Sequence, residues 1–392
     1  MAQSISSRSA LILIVIAQFL GTSLWFAGNA AAPELEFILG QKDLVPLITS
    51  MVQLGFVAGT FLYAFFSIPD RFAPSDVFFF SAILAAVSNL VLLIMPLQLT
   101  WVIGSRFLTG FFLAGIYPVG MKIASDYFEK GLGSALGFLV GALVLGTGFP
   151  FFLKAFEVAI SWKVLLFSTS GLAIGSGVLV GFGIPNGPYR KINPKLDFGL
   201  LPSFAKNPRL KGAAGGYFGH MWELYTFWAF LPVLILFLTQ GKIEGSTQAF
   251  WTFSIIAAGG VSCAVGGLFS VKKGSEKVAL VSLLGSGFCA LILLIAPEIP
   301  FPVVFPFLLV WGIWVTADSP QFSTLVAQSV QPEHRGTALT LVNCLGFGLT
   351  IVSIQTAGFL SDFLQVKVYL GLLAIGPFMG LLIYRYFKKK KV

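Results

Sequence analysis

The sequence carries few charged residues. Only 10% of its 392 residues are Asp, Glu, Lys or Arg, whereas soluble proteins have about 25%. Hydrophobic residues make up 56% of the chain, and the mean hydropathy is +0.89. No polar stretch is long enough to form a separate soluble domain. These values exclude a soluble globular protein and indicate an integral membrane protein with many spans.

Cysteine, histidine and the common catalytic motifs are also scarce. The three cysteines lie singly in apolar runs, and there are only two histidines, so we expect neither a disulfide framework nor a metal site. The chain lacks the GxxxxGK[ST] motif of ATP-driven proteins. It also lacks a Ser-His-Asp set placed for chemistry. We therefore expect no enzymatic activity and no cofactor. The net charge of +9 comes from cations in loops, which does not indicate a nucleic-acid partner.

Long apolar runs are what the sequence has in abundance. They are continuous over about 20 residues, which predicts helices that cross a bilayer; the strands of a membrane barrel alternate over about 10 residues. We expect the first run to be a span and not a cleaved signal peptide. The sequence thus predicts an all-α membrane protein with twelve spans, at 9–31, 45–68, 77–96, 99–125, 133–156, 162–184, 212–238, 249–270, 277–297, 301–327, 337–361 and 368–387.

The longest connection divides the chain into halves. Residues 185–211 are rich in Pro, Gly and Lys, and we predict a cytoplasmic linker there. It would join one six-helix bundle at 1–184 to a second at 212–392. With the N-terminus inside, the inner loops and tails hold 18 Lys and Arg residues and the outer loops hold 5. This bias predicts that both termini are cytoplasmic, in the cell (inner) membrane.

Several features recur in the two halves, as expected for parallel six-span repeats. Both fourth-position spans carry a proline, and both second-position spans are followed by charged loops. The recurring residues are Gly21, Trp25 and Pro33 with Gly219, Trp222 and Pro232; Asp70 and Arg71 with Lys272 and Lys273; and Pro118 with Pro320.

Two local motifs carry a family resemblance. After the second span, Asp70 and Arg71 match the acidic-basic pair of the signature Gly-x-x-x-Asp-Arg-x-Gly-Arg-Arg, although its glycines and trailing basic pair are absent. In the fourth span, Arg106 and Gly110 match an Arg-x-x-x-Gly motif. With twelve spans, the whole chain resembles a major facilitator superfamily transporter. The resemblance implies two pseudo-symmetric six-helix bundles, and a central cavity lined by spans 1, 4, 7 and 10.

Nearly every polar group that we expect at membrane depth falls in these four spans. Because ionisable side chains in a membrane face the protein interior or a water-filled cavity, we interpret them as substrate or proton-coupling candidates. The candidates are Glu223, Asp318, His220, Arg106, Lys122, Trp25, Asn29, Tyr117, Trp222 and Tyr225.

Glu223 is the strongest candidate, because it lies near the middle of span 7. His220 lies one helical turn away on the same face. A carboxylate at mid-bilayer costs about 3 kcal/mol on insertion scales, so Glu223 needs a function or a partner. The functional interpretation is proton coupling or substrate binding, with His220 as a proton relay. The alternative is a structural ion pair or hydrogen bond, with His220 in a packing role.

The other charged candidates also have more than one interpretation. Asp318 is either a second titrating acid, or a ligand for a cationic substrate, or a cap for backbone groups freed by Pro320. Arg106 occupies a family position implicated in proton coupling or in organising the cavity. Lys122 either holds an anionic substrate group, or pairs with Asp318 or Glu223, or extends to the cytoplasmic surface. Each aromatic candidate has core packing as its alternative.

The family resemblance also implies a cytoplasmic gate. Its candidates are Asp70 and Arg71 in the first half, and Glu333 and Arg335 in the second; the alternative is that they are ordinary solvated loops. Spans 2 and 8 contain no arginine, which argues against the nitrate transport known in this superfamily.

These residues favour a secondary active transporter that moves a small organic solute by alternating access and is coupled to protons. Its expected partners are the solute, protons and the bilayer, and we expect a monomer. One alternative is a uniporter or organic-anion carrier that uses Lys122 and Arg106. Another is a membrane sensor that binds ligand without transport.

The charge bias gives a testable topology. Green fluorescent protein fused after Val392 is expected to fluoresce, and alkaline phosphatase at the same place is expected to be inactive, because it needs the disulfides that form outside the cytoplasm. A phosphatase fusion after Lys42 is the matched control and is expected to be active. Phosphatase activity at the C-terminus would contradict the orientation.

Overall fold

The computed structural model describes residues 5–128, 132–156, 160–190, 198–296, 298–331 and 334–390, and these residues form helices and connecting segments without a strand. Twelve segments are long and apolar enough to cross a membrane, which confirms the all-α, twelve-span prediction. The spans, numbered 1 to 12, are Ser7–Leu39, Leu44–Phe65, Pro74–Ile94, Leu99–Tyr127, Ala135–Phe156, Trp162–Gly183, Pro208–Leu238, Gly245–Lys273, Ser275–Ile295, Phe301–Gln328, Arg335–Ser361 and Val366–Lys389.

The chain divides into two compact units, unit 1 at Met1–Lys195 and unit 2 at Leu196–Val392. Unit 1 contains spans 1–6 and unit 2 contains spans 7–12. The division falls within residues 185–211, which the sequence predicts as a linker. Part of that segment is helical, with short helices Phe198–Leu200 and Leu201–Lys206. Span 7 begins at Pro208, after the cap of Asn207, which accepts a hydrogen bond from the Leu210 amide.

Span 1 extends beyond its predicted end at residue 31. Its second helix, Ala27–Leu39, contains Pro33 and continues to Gly40. Gly40 has a left-handed backbone with φ of 62°, a conformation that commonly ends helices at glycine. The helix continues through Pro33, because membrane helices tolerate proline where neighbouring groups satisfy the freed backbone.

Four spans are not continuous α-helices; in span 12 the 3₁₀ turn Leu372–Ala374 separates helices Val366–Gly371 and Ile375–Lys389. Span 1 consists of helices Ser7–Thr22 and Ala27–Leu39; span 4 consists of Leu99–Leu113 and Tyr117–Tyr127; span 10 consists of Phe301–Ala317 and Ser319–Gln328. Pro118 and Pro320 lie in the first turn of the second helices of spans 4 and 10, where the missing N–H breaks no hydrogen bond within the second helix.

Three candidate residues lie at these breaks. Trp25 lies between the two helices of span 1, Tyr117 begins the second helix of span 4, and Asp318 separates the two helices of span 10. Irregular backbone at membrane depth occurs only where it is buried in protein or lines a cavity. Span 7, in contrast, is one continuous helix that includes Pro232.

Glycines allow spans 2 and 4 of unit 1 to pack with their backbones in contact. A Cβ atom at Gly55 would overlap the carbonyl group of Phe107, and one at Gly110 would overlap the carbonyl group of Val52. Small residues at such interfaces let membrane helices approach closely. This packing fixes the position of the helix that carries Arg106.

The close contact at Gly55 predicts that two glycine-to-alanine substitutions differ strongly in their effect on stability. Gly55→Ala is expected to destabilise the protein by about 1–3 kcal/mol, because the added methyl group meets backbone that cannot rotate away. Gly104→Ala in span 4 has open space around it and is the matched control, with no expected loss. Thermal unfolding in detergent compares the two variants. Equal melting temperatures would contradict this packing.

Candidate functional site

The buried centre of unit 2 contains a carboxyl group held by an indole. Glu223 of span 7 and Trp311 of span 10 are both fully buried. The Nε1–H group of Trp311 donates a hydrogen bond to Oε1 of Glu223, at 2.6 Å. The hydroxyl group of Ser286 in span 9 lies beside the same carboxyl group. Oε2 of Glu223 has no hydrogen-bond partner among the described residues.

A second carboxyl group in unit 2 faces a histidine. Nδ1 of His220 lies 2.8 Å from Oδ1 of Asp318, and both side chains are buried. Asp318 stands at the break of span 10, where its backbone carbonyl accepts hydrogen bonds from the amides of Gln321 and Phe322. The backbone carbonyl therefore caps the second helix, while the side chain makes the contact with His220.

We call Glu223, His220, Asp318 and Trp311 the carboxyl cluster. Spans 7 and 10 position all four residues. His220 and Glu223 are one turn apart in span 7, and Trp311 and Asp318 are two turns apart in span 10, so each pair lies on one helical face. Glu223 and Asp318 are close enough to interact electrostatically.

The carboxyl cluster contains no fixed cation. Within the described part of unit 2, no lysine or arginine lies within 4 Å of either carboxyl group; the ion pairs there are His220 with Asp318 and Lys388 with Glu276. Two acids and one imidazole are therefore buried in the same site. Such a site is neutral only when it holds protons, and this is the chemistry that the arrangement provides.

Arg106 is the buried cation of unit 1. Its Nη2 atom donates to Oδ1 of Asn89 in span 3, and lies 3.4 Å from the hydroxyl groups of Ser105 and Thr109. Asn89 is itself held by span 6, because its Nδ2 atom donates to the hydroxyl group of Ser170 at 2.9 Å. We call Asn89, Ser105 and Thr109 the neutral cage of Arg106.

Lys122 lies at one end of unit 1 in a network of charges. Its Nζ atom is 2.9 Å from Oδ1 of Asp70 and 4.0 Å from Oδ1 of Asp126. Arg190 donates from Nη2 to the backbone carbonyls of Asp70 and Phe72, at 3.3 and 2.8 Å. Asp126 and Arg190 were not predicted as site residues; the spacing of Asp126, four residues after Lys122, was the available signal.

The polar and aromatic candidates of unit 1 lie around the break of span 1. Trp25 packs its ring 4.8 Å from that of Phe56, which lies 6.5 Å from the ring of Tyr117. Asn29 donates from Nδ2 to the hydroxyl group of Thr49 in span 2, at 2.7 Å. The structure therefore brings Trp25 and Tyr117 together through one shared phenyl ring.

The aromatic candidates of unit 2 lie apart from the carboxyl contacts. The side chain of Trp222 lies against Gly376 of span 12. Tyr225 has its ring 5.3 Å from that of Trp228 and 5.4 Å from that of Phe347 in span 11. These contacts pack both side chains within unit 2, and their role in binding stays a prediction.

The gate candidates have local contacts where the structure describes them. Arg71 is exposed at the end of the short helix Ile68–Arg71. Arg335 begins span 11 and donates from Nε to the carbonyl oxygen of Ala327, at 3.1 Å. Glu333 lies outside the described residues. The gate itself stays a prediction.

Buried polar groups are more widespread than the sequence predicted. Gln53 of span 2, Asn89 of span 3 and Ser286 of span 9 are fully buried, although the sequence assigned nearly all such groups to spans 1, 4, 7 and 10. The expectation was wrong because it relied on ionisable residues, and neutral polar residues do not stand out by charge in an apolar run. Trp311 was also missed as a site residue, since tryptophan is common in membrane helices.

The indole bond to Glu223 predicts a measurable stability effect. Trp311→Phe keeps an aromatic ring against Phe227, whose ring lies 4.5 Å away, but removes the N–H donor. It is expected to cost about 1–3 kcal/mol of unfolding free energy, because Oε1 becomes a buried acceptor without a donor. Trp314→Phe is the matched control, because no acceptor for the Trp314 indole is found among the described residues. Equal unfolding temperatures for the two variants would contradict the bond.

Comparisons with known proteins agree on one family. The sequence model described as Major Facilitator Superfamily matches residues 13–354. A crystal structure of a bacterial homolog of the human lysosomal transporter Spinster, in an inward-facing and occupied conformation, is similar with a TM-score of 0.71 and 13% identity, covering 99% of this chain and 98% of the other. A search of curated proteins found no match. The match over most of its length shows that this multi-pass membrane transporter belongs to the major facilitator superfamily.

Proposed function

We propose that this protein is a proton-coupled secondary active transporter, which moves a small organic solute across the cytoplasmic membrane by alternating access. The observation that supports this most strongly is the carboxyl cluster. Two acids, Glu223 and Asp318, are fully buried and face an imidazole and an indole in place of a lysine or arginine. Intramembrane acids of this kind mark proton pathways.

The two protonation states of the cluster differ in net charge. The cluster carries one more negative charge when Glu223 is ionised than when Glu223 holds a proton. Because Trp311 donates to Oε1, the proton of Glu223 belongs on Oε2, the atom without a partner among the described residues. A charge difference of this kind can favour one conformation over another.

We place the protein in the inner membrane as a monomer with both termini in the cytoplasm. The supporting observation is the bias of 18 to 5 Lys and Arg residues between inner and outer segments. In this orientation the pair of Lys122 with Asp70 lies at the cytoplasmic end of unit 1. Asp70 and Lys122 then stabilise the loop that carries the predicted gate residues.

An organic-anion carrier is the second candidate. Lys122 supports it poorly, because its ammonium group is already paired with Asp70 at 2.9 Å. Arg106 supports it better, since it is buried and its Nε and Nη1 atoms have no hydrogen-bond partner among the described residues. Transport that is insensitive to a pH gradient would favour this carrier over the coupled transporter.

The substitution Glu223→Gln tests the coupling. A ligand found by a thermal-shift screen at about pH 6 and pH 8 is supplied to proteoliposomes with an imposed pH gradient. Wild-type protein is expected to accumulate it. Glu223→Gln is expected to lose gradient-driven accumulation at least roughly tenfold, because the amide cannot exchange a proton, while counterflow of the solute persists.

Glu244→Gln is the matched control. It makes the same chemical change at an exposed carboxyl group, before the first turn of span 8, and accumulation is expected to stay at the wild-type level. If the Glu223→Gln protein accumulates solute as the wild type does, the proton-coupling role of Glu223 is wrong.

A further inference from the structure

A cavity opens at the end of unit 2 where span 7 begins and span 12 ends. It has a volume of about 600 Å³, and residues of spans 7, 9, 10 and 12 line it. We call it the basic cavity; its lining includes Asn207, Arg209, Glu276, Tyr384, Lys388 and Lys390. It is distinct from the carboxyl cluster, because no residue of that cluster lines it.

Contacts between spans fix two sides of the basic cavity. The side chain of Asn207 accepts a hydrogen bond from the Leu210 amide at 3.1 Å and donates from Nδ2 to the carbonyl oxygen of Ser329 at 2.7 Å. The start of span 7 is therefore tied to the end of span 10. A Cβ atom added at Gly212 would lie 3.5 Å from the carbonyl oxygen of Tyr384, so spans 7 and 12 also pack closely there.

Cations outnumber acids in the lining of the basic cavity. Arg209, Lys388 and Lys390 supply three positive charges, and Glu276 supplies one negative charge, which leaves a net charge of +2. Arg209 is the second residue of the 31-residue helix of span 7. The first turn of a helix carries a partial positive charge that adds to the attraction for an anion.

The single acid of the basic cavity is already engaged. Lys388 forms an ion pair with Oε1 of Glu276, and the hydroxyl group of Tyr384 lies beside the same carboxylate. None of the ion pairs found among the described residues includes Arg209. Arg209 also lines a neighbouring cavity of about 550 Å³, so its side chain has open space on both sides. The cavity therefore offers an arginine that no acid of the described chain neutralises.

An exposed apolar face of span 12 leads to the rim of the basic cavity. Met379, Leu382 and Tyr386 follow one another at spacings of three and four residues, which places them on one helical face. They are 50%, 62% and 54% exposed. Nζ of Lys390, which lines the cavity, lies 4.8 Å from the centroid of the Tyr386 ring. A lipid whose chains lie on this face therefore has its headgroup at the cavity.

We infer that the basic cavity binds a phosphate group through Arg209 and Lys390, and that an anionic phospholipid supplies this group. Arginine suits the role because its planar guanidinium group binds two phosphate oxygens at once. The exposed face of span 12 favours a lipid over free phosphate, since free phosphate has no apolar part to place there. Basic segments at the ends of membrane helices attract anionic headgroups. The site does not depend on the proposed transport function.

The test compares three sources of phosphate. Purified protein in a neutral detergent is titrated with dioleoylphosphatidylglycerol, with zwitterionic dioleoylphosphatidylcholine and with inorganic phosphate, and the melting temperature is recorded. Phosphatidylglycerol is expected to raise the melting temperature to a plateau, and the other two are expected to leave it unchanged. Stabilisation by inorganic phosphate contradicts the lipid source and makes free phosphate the ligand. Stabilisation by none of the three, or equally by both lipids, overturns the inference.

Substitutions then locate the binding. Arg209→Gln is expected to weaken phosphatidylglycerol binding about fivefold, which is the contribution of one cation near an anionic headgroup. The double substitution with Lys390→Gln is expected to weaken it at least roughly twentyfold. Arg209→Lys keeps the charge but loses the planar fork, so its affinity is expected to fall between those of the wild type and Arg209→Gln.

Lys272→Gln is the matched control. It removes one exposed cation from the end of span 8, at a position that does not line the basic cavity, and is expected to bind phosphatidylglycerol as the wild type does. Arg209 and Lys390 are exposed, so their variants are expected to melt at the wild-type temperature without lipid. If Lys272→Gln weakens binding as much as Arg209→Gln, the lipid responds to overall charge and the assignment to the basic cavity is wrong.

Discussion

Every charge at membrane depth must be satisfied inside the protein, because lipid supplies neither counter-ions nor hydrogen bonds. Unit 2 satisfies its two acids differently: the indole of Trp311 bonds Glu223, and His220 faces Asp318. Unit 1 holds Arg106 through an asparagine of span 3, which is anchored in turn to span 6. These contacts require helices that approach closely, which explains why glycines occur where the backbones of spans 2 and 4 meet.

The same constraint governs the backbone. Four spans interrupt their α-helices, and the break at Asp318 shows how the freed groups are satisfied. Pro320 has no N–H group, so the carbonyl of Thr316, four residues earlier, loses its helical donor. The thiol of Cys263 in span 8 lies 3.2 Å from that carbonyl oxygen, and the amide of Asp318 also bonds to it. The side chain of Asp318 faces His220.

Hydropathy and charge predicted the fold well, because continuous apolar runs of bilayer length are typical of membrane helices and of little else. The same reasoning found Glu223 and Asp318, since an acid in an apolar helix is conspicuous. It did not find Trp311, because an indole is ordinary in a core until its partner is known. The sequence did not identify the partner of Lys122. That partner is Asp70, which lies 52 positions earlier in the chain, and no periodicity links the two residues.

The two units bury side chains of opposite charge type: unit 2 holds the acids Glu223 and Asp318, and unit 1 holds Arg106. In unit 2 His220 faces Asp318, whereas no described lysine or arginine of that unit pairs with Glu223. On the function proposed above, a proton neutralises Glu223. A site neutralised by a permanent ion pair has the same charge in every conformation, whereas a carboxyl group neutralised by a proton is costly to bury when the proton is absent. On that proposal the cost couples proton loading to the conformational change, because the deprotonated protein resists burying the carboxylate.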